Sequence, residues 1–180
     1  MDALLIIDMQ KGSFLHNPRY DAKNVIGRIN KLSAFFRSNG RPVIFIQHDG
    51  SRQGSLVHGS MDWEILDELA REESDRVFEK TANDSFYGTA LHDHLKRLDI
   101  DRLYITGCAT DFCVNATIHG ALTRDYDVVV VQDAHTTADR PCLKAKKVIE
   151  FHNWLWGSLT PTRGRITVEA TEDIVHGCIR

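Results

Sequence analysis

No stretch of this 180-residue chain is long and apolar enough to cross a bilayer. The opening, Met1 to Asp8, is too short and wrongly flanked for a secretory leader. Lys and Arg form no dense cluster, and the formal charge is −3, so neither nucleic acid nor an anionic membrane is expected as a partner. Lys144, Lys146 and Lys147 read as a solvated helix face. The four cysteines (108, 113, 142 and 178) make no C-x-x-C pairs and lack the density of a secreted disulfide scaffold. Free thiols in a reducing cytoplasm are therefore expected. A G-x-G-x-x-G turn is missing after the first apolar run, where Asp8-Met9-Gln10-Lys11-Gly12 stands instead, which argues against a dinucleotide-binding oxidoreductase. The G-x-S-x-G elbow of serine hydrolases is also missing.

What is present is an ordinary globular composition, 42% hydrophobic and 26% charged, in a length that can bury one core. Leu4–Ile7, Pro42–Ile46, Arg76–Glu79, Leu103–Thr106, Val128–Val131 and Arg165–Glu169 read as strands. Most of them are apolar without alternation, as strands buried on both faces are. Val25, Ile29, Leu32 and Phe36 mark one face of a helix that ends at Asn39-Gly40. Further helices are expected from Thr89 through Leu98, from near Asp111 through Ala121, from about Pro141 to Trp154 with proline in its first turn, and from Thr171 to Cys178. Ile65, Leu66 and Leu69 form a short amphipathic piece, and residues 47–60 a long polar loop. Strands alternating with helices predict an α/β fold: a single doubly wound domain, its sheet mostly parallel, with helices on both faces.

Ligands of such sheets sit beyond the carboxyl ends of the strands. Asp8, Lys80 and Cys113 all fall there. Cys113 is placed on the first turn of a helix, where unpaired N–H groups and the dipole favour an anion, so its thiol is expected to ionise easily. Each residue alone has a plain explanation: a capping carboxylate, a solvated lysine, a small buried thiol. Together they supply a nucleophile, a base for its proton and a cation that tolerates both anions. Gln10, Phe14, His48, Phe86 and His135 are the candidate substrate contacts, since each follows a strand or the Asp8 or Lys80 segment. Ser85 is a candidate for shaping the surroundings of Lys80, whereas Asn83 and Asp84 read as turn formers.

The segments IIDMQ around Asp8, FEKTANDSF around Lys80 and GCATDFCVNAT around Cys113 resemble the isochorismatase-like cysteine hydrolases, which include nicotinamidases and N-carbamoylsarcosine amidase. VIFIQHD, DAHTTAD and FHNWLW extend the resemblance over nearly the whole chain, in the same order. The resemblance implies a catalytic triad of Asp8, Lys80 and Cys113 and a thioester intermediate. It also implies an oxyanion hole from the main-chain N–H groups of Ala109 and Cys113, beside a cis Cys108–Ala109 bond. The expected reaction is cofactor-independent cleavage of a C–N bond in a small amide, carbamoyl or ureido compound. Relatives that hydrolyse nicotinamide bind a divalent ion through an Asp-x-His pair after the second strand. Here Gln47-His48-Asp49 and a later His58 break that pattern, so no metal is expected. The alternatives are a metal-dependent nicotinamidase-type amidase and a non-catalytic scaffold of the same superfamily. The family also implies a homodimer or homotetramer, and Trp154 and Trp156 are equally candidates for an interface or for the core.

Overall fold

In the computed structural model, which describes residues 1–161 and 163–177, six strands form one sheet in the order β3-β2-β1-β4-β5-β6. They are β1 (Asp2–Ile7), β2 (Val43–His48), β3 (Arg76–Lys80), β4 (Arg102–Cys108), β5 (Asp127–Thr136) and β6 (Ile166–Glu169). Every pairing is parallel, one step beyond the mostly parallel sheet expected. The helices are α1 (Lys11–Leu15), α2 (Ala22–Ser38), α3 (Leu91–Arg97), α4 (Asn115–Leu122), α5 (Ala145–Gly157) and α6 (Thr171–His176).

The two-residue period of a strand sends neighbouring side chains to opposite faces. Ala3, Leu5 and Ile7 of β1 join Ile44, Ile46, Leu103, Ile105, Val128 and Val130 in one core, which Leu91 and Leu95 of α3, Ile118 of α4 and Trp156 of α5 cover. Leu4 and Ile6 join Phe45, Tyr104, Val129 and Val131 in the other, covered by the Val25, Ile29, Leu32, Phe36 stripe of α2 and by Ile174 of α6. Each such aliphatic side chain contributes about 1.5–3 kcal/mol by leaving water. A sheet covered on both faces has no room for polar alternation, which is why these strands read as unbroken apolar runs.

The helix boundaries show where local signals lost to tertiary context. Gly40 does close α2 at φ +65°. Pro141, by contrast, precedes α5: Arg140 and Leu143 close a turn, and Asp139 Oδ1 accepts the Ala145 N–H at 2.9 Å, so the helix starts after that cap. Ile65, Leu66 and Leu69 form no helix. Leu66 is pinned instead by its N–H to Met9 O at 3.0 Å. The all-valine strand runs on through His135 to Thr136, with a register shift opposite Ile105 and Gly107. The terminal helix ends at His176, and Cys178 lies outside the described residues. Trp154 and Trp156 divide: Trp156 is fully buried and donates Nε1–H to Asn115 Oδ1 at 2.9 Å, whereas Trp154 is 65% exposed. Among the described residues no helix is long and apolar enough to cross a membrane.

Candidate active site

The strand order reverses direction between β1 and β4, and a cleft at the carboxyl edge belongs at that reversal. Gly107 makes the two strands meet there. Its φ is +115°, and a Cβ on it would lie 2.2 Å from Ile7 O, so no other residue fits. Asp8 follows β1 with φ +47°, a left-handed conformation that Asp tolerates better than most residues. Its N–H donates to Ile46 O at 3.0 Å, and its side chain is 6% exposed.

Lys80 ends β3, two strands away, and its long stem reaches back across β2. Nζ donates to Asp8 Oδ2 at 2.6 Å and to Ala82 O at 2.9 Å, with the side chain fully buried. Burial opposes the charge on Lys80, but Asp8 and, after it, Cys113 together outweigh it, so the ammonium is held above its ordinary pKa. Asp8 Oδ1 is buried and has no hydrogen-bond partner among the described residues.

Cys113 follows β4 in a π-type turn (Thr110–Val114) that leads into α4, a correction to the expected first α-helical turn. The turn is braced from below. Thr110 Oγ1 bonds His135 Nδ1, and His135 Nε2 bonds Asn153 Oδ1, both at 2.9 Å. Asp111 is clamped by Arg140 Nε and Nη2 at 2.7 and 2.8 Å and by the Thr137 hydroxyl at 2.7 Å. The Cys113 thiol, half-buried, donates to Asn83 Oδ1 at 3.5 Å. The expectation of an easily ionised thiol fails here. Burial first, and then the negative Asp8, raise its pKa; Lys80 pulls the other way and does not prevail. The resting site is thus a buried, hydrogen-bonded Asp8–Lys80 pair beside a neutral thiol. The Cys108–Ala109 peptide bond is cis.

Of the five expected substrate contacts, His48 lies against these groups. Its Nδ1 is 3.4 Å from Lys80 Nζ, and burial together with the Lys80 charge lowers its pKa, keeping the ring neutral. The other four are corrected. Gln10 is fully buried, its amide spent on His48 O, Trp63 O and the His48 N–H, so it staples loops together. Phe14 packs on the α2 face with Leu66. Phe86 is a core ring stacked on Tyr126 at 5.8 Å. His135 is buried beneath the turn, its pKa pushed down to about 4 by burial. Ser85 bonds Thr117 rather than approaching Lys80. Asn83 is the residue that sequence reading missed; its place in a turn after Lys80 concealed that the turn faces Cys113. Cys108 packs on the α2 face and Cys113 on the α4 face, both as free thiols. Burial pushes the Cys108 thiol up to about 12.

A divalent ion is poorly served. Asp49 Oδ1 accepts from the Ser51 N–H and hydroxyl, while His58 faces Glu79 Oε2 at 3.3 Å and lies against Trp63. Among the described residues, no three His, Cys, Asp or Glu side chains converge as metal ligands.

The isochorismatase-domain family model matches residues 2–151. This chain belongs to the isochorismatase family. It is 31% identical over 136 residues to the uncharacterized isochorismatase family protein YrdC of Bacillus subtilis, covering 73% of this chain and 72% of that one. It is 28% identical to the ureidoacrylate amidohydrolase RutB of Pseudomonas syringae, over 73% and 69% of the two chains. Its fold matches the crystal structure of N-carbamoylsarcosine amidase from Thermoplasma acidophilum with a TM-score of 0.78 and 27% identity, over 98% and 99% of the chains. Family and relatives together make the chain a hydrolase of the isochorismatase family.

Proposed function

We propose that this family member hydrolyses a C–N bond of a small amide, carbamoyl or ureido compound through a covalent intermediate on Cys113. The supporting observation is the buried Lys80–Asp8 pair beside Cys113, in which one carboxylate oxygen is held at 2.6 Å and the other has no partner among the described residues. A buried carboxylate oxygen without a donor costs roughly 1–3 kcal/mol or more in the resting protein, and it is the oxygen left open to receive a proton.

In the proposed reaction the Cys113 thiol attacks the substrate carbonyl while its proton passes to Asp8 Oδ1. A neutral thiol is the right starting state, because a thiolate next to Asp8 would place two anions on one ammonium. As the S–C bond forms, the carbonyl oxygen becomes an oxyanion that the N–H groups of Ala109 and Cys113 receive; such a donor is worth about 2.7–4 kcal/mol of barrier. The C–N bond breaks as Asp8 returns the proton to the leaving nitrogen. Water, deprotonated by the same carboxylate, then cleaves the thioester and restores the thiol. Lys80 holds Asp8 in place through both halves, and His48 and Asn83 complete the polar surround. The ureido and carbamoyl names of the relatives place such compounds first among the substrates to try.

The test is a panel of small amides, carbamoyl compounds and ureides, with release of ammonia or amine followed for wild type and Cys113→Ala. Turnover by wild type, absent from the variant, supports the reading. Turnover that persists in Cys113→Ala overturns it.

A further inference from the structure

A cavity of about 550 Å³ lies on the α2 face of the sheet, away from the α4 face on which Cys113 packs. Its walls are Phe14, Pro18, Ala22, Ile26 and Leu66. The volume falls within the range of small-molecule sites, and mostly apolar walls with a few polar groups are their usual lining. The charged residues at it are Arg19, Lys23 and Glu68, two cations to one anion.

Arg19 is the unusual member. Its Nε is buried with no hydrogen-bond partner, and among the described residues no carboxylate lies within ion-pair distance of its guanidinium. A guanidinium presents donors in a planar fork that matches a carboxylate, and burying one of those donors without an acceptor is costly. Five other partly buried arginines have a carboxylate within reach: Arg37 has Asp75, Arg140 has Asp111, Arg28 has Asp21, Arg102 has Asp127 and Arg124 has Asp84; Arg41, at the opposite edge of the sheet, has none among the described residues. The backbone beside Arg19 is fixed as well. Tyr20 N–H donates to Thr137 O at 2.9 Å and Tyr20 O accepts the Thr136 hydroxyl at 2.6 Å, so the segment is tied to the end of β5. The positive charge also acts on the buried Cys108 thiol, on the same face of the sheet.

We infer that this cavity is a binding site, separate from the Cys113 site, for a small carboxylate with an apolar body. The apolar part lies against Phe14, Ile26 and Leu66, and the carboxylate is taken by the outer guanidinium N–H groups of Arg19, its Nε being sealed from the cavity. Nothing in this inference depends on the reaction at Cys113, so the test is run on the Cys113→Ala protein.

Phenylacetate and hexanoate are titrated calorimetrically against Cys113→Ala, with 2-phenylethanol and hexanol as uncharged controls. The acids should bind at least about tenfold more tightly than the alcohols, and Arg19→Gln in the same background should erase that preference. Ala22→Phe, which fills the cavity while leaving Arg19 in place, should abolish binding of both acids; circular dichroism confirms that each variant is folded. Dissociation constants above about 10 mM for both acids would overturn the inference, being weaker than ligands of this size need show. Equal binding to Arg19→Gln would overturn it too. So would loss of binding when the Cys113 thiol of the wild-type protein is alkylated, which would place the acids in the Cys113 site.

Discussion

Two buried ion pairs sit at opposite edges of the sheet, and they differ in one respect. Toward the amino edge, Arg37 and Asp75 form a bidentate pair at 3.1 and 2.5 Å, Ala70 O accepts a further Arg37 N–H, and Asp75 also accepts the Glu72 N–H. That carboxylate has both oxygens occupied. At the carboxyl edge, Asp8 offers Lys80 one oxygen and keeps the other, buried, without a partner among the described residues. The first pair ties α2 to the approach of β3. The second is incomplete in the way a proton carrier must be, because an acceptor already saturated cannot take a proton from a thiol. Burial of a charged pair is thus no mark of function; the vacancy on one oxygen is what separates the two.

The comparison can be broken most forcefully at the sulfur. Cys113→Ala should reduce turnover by about 10⁴-fold or more while leaving the unfolding midpoint near that of wild type, since it trades one small half-buried group for another. Denaturant melts read beside the activity assay check both halves of that expectation.

The next largest effect sets the pairs directly against each other. Lys80→Met and Arg37→Met each strand a buried carboxylate, and each should cost roughly 3–5 kcal/mol of unfolding free energy. Turnover measured on the folded fraction should collapse in Lys80→Met alone. If Arg37→Met lost it equally, the distinction drawn between the edges would be wrong.

A third prediction concerns the brace beneath the Cys113 turn. Burial holds His135 at about 4, below its ordinary 6.5, so the unfolded chain binds a proton in that window that the folded chain refuses. The resulting contribution, about 3 kcal/mol, is present above pH 6.5 and is lost as pH falls through the window toward 4. Urea melts at pH 7 and pH 4.5 should show the loss in wild type, and a smaller one in His135→Gln.

The smallest effect belongs to Asn83. Asn83→Ala removes one weak sulfur hydrogen bond at 3.5 Å and should lower the rate by no more than about tenfold. A loss as large as that of Cys113→Ala would promote Asn83 from accessory to essential.

The sheet was legible because strands buried on both faces leave a plain signature: Leu4–Ile7 and Val128–Val131 admit few other readings. Asp8, Lys80 and Cys113 were legible because each follows such a run, and topology alone sends the ends of parallel strands to one edge. What the sequence concealed was direction. Gln10, Phe86 and His135 have the right addresses, yet their side chains turn inward to loop carbonyls, to Tyr126 and to Thr110. Periodicity fixes a face only within a regular element, and these residues lie where one ends or, like His135, past a register shift. The thiol failed for a different reason. The helix-start argument counted a dipole and left out burial and the neighbouring carboxylate, which raise the thiol pKa.

That last point supplies the sharpest test. Asp8 acts on Cys113 in two ways that mutation pulls apart: as an anion it suppresses ionisation, and as a base it removes the proton. The rate of Cys113 alkylation by iodoacetamide at neutral pH, followed by peptide mass spectrometry in wild type and Asp8→Asn, reads the first role, and turnover of the same two proteins reads the second. Loss of the anion should leave alkylation as fast or faster, while loss of the base should cut turnover by about 10²-fold or more; turnover that survives in Asp8→Asn would contradict the proposed proton path.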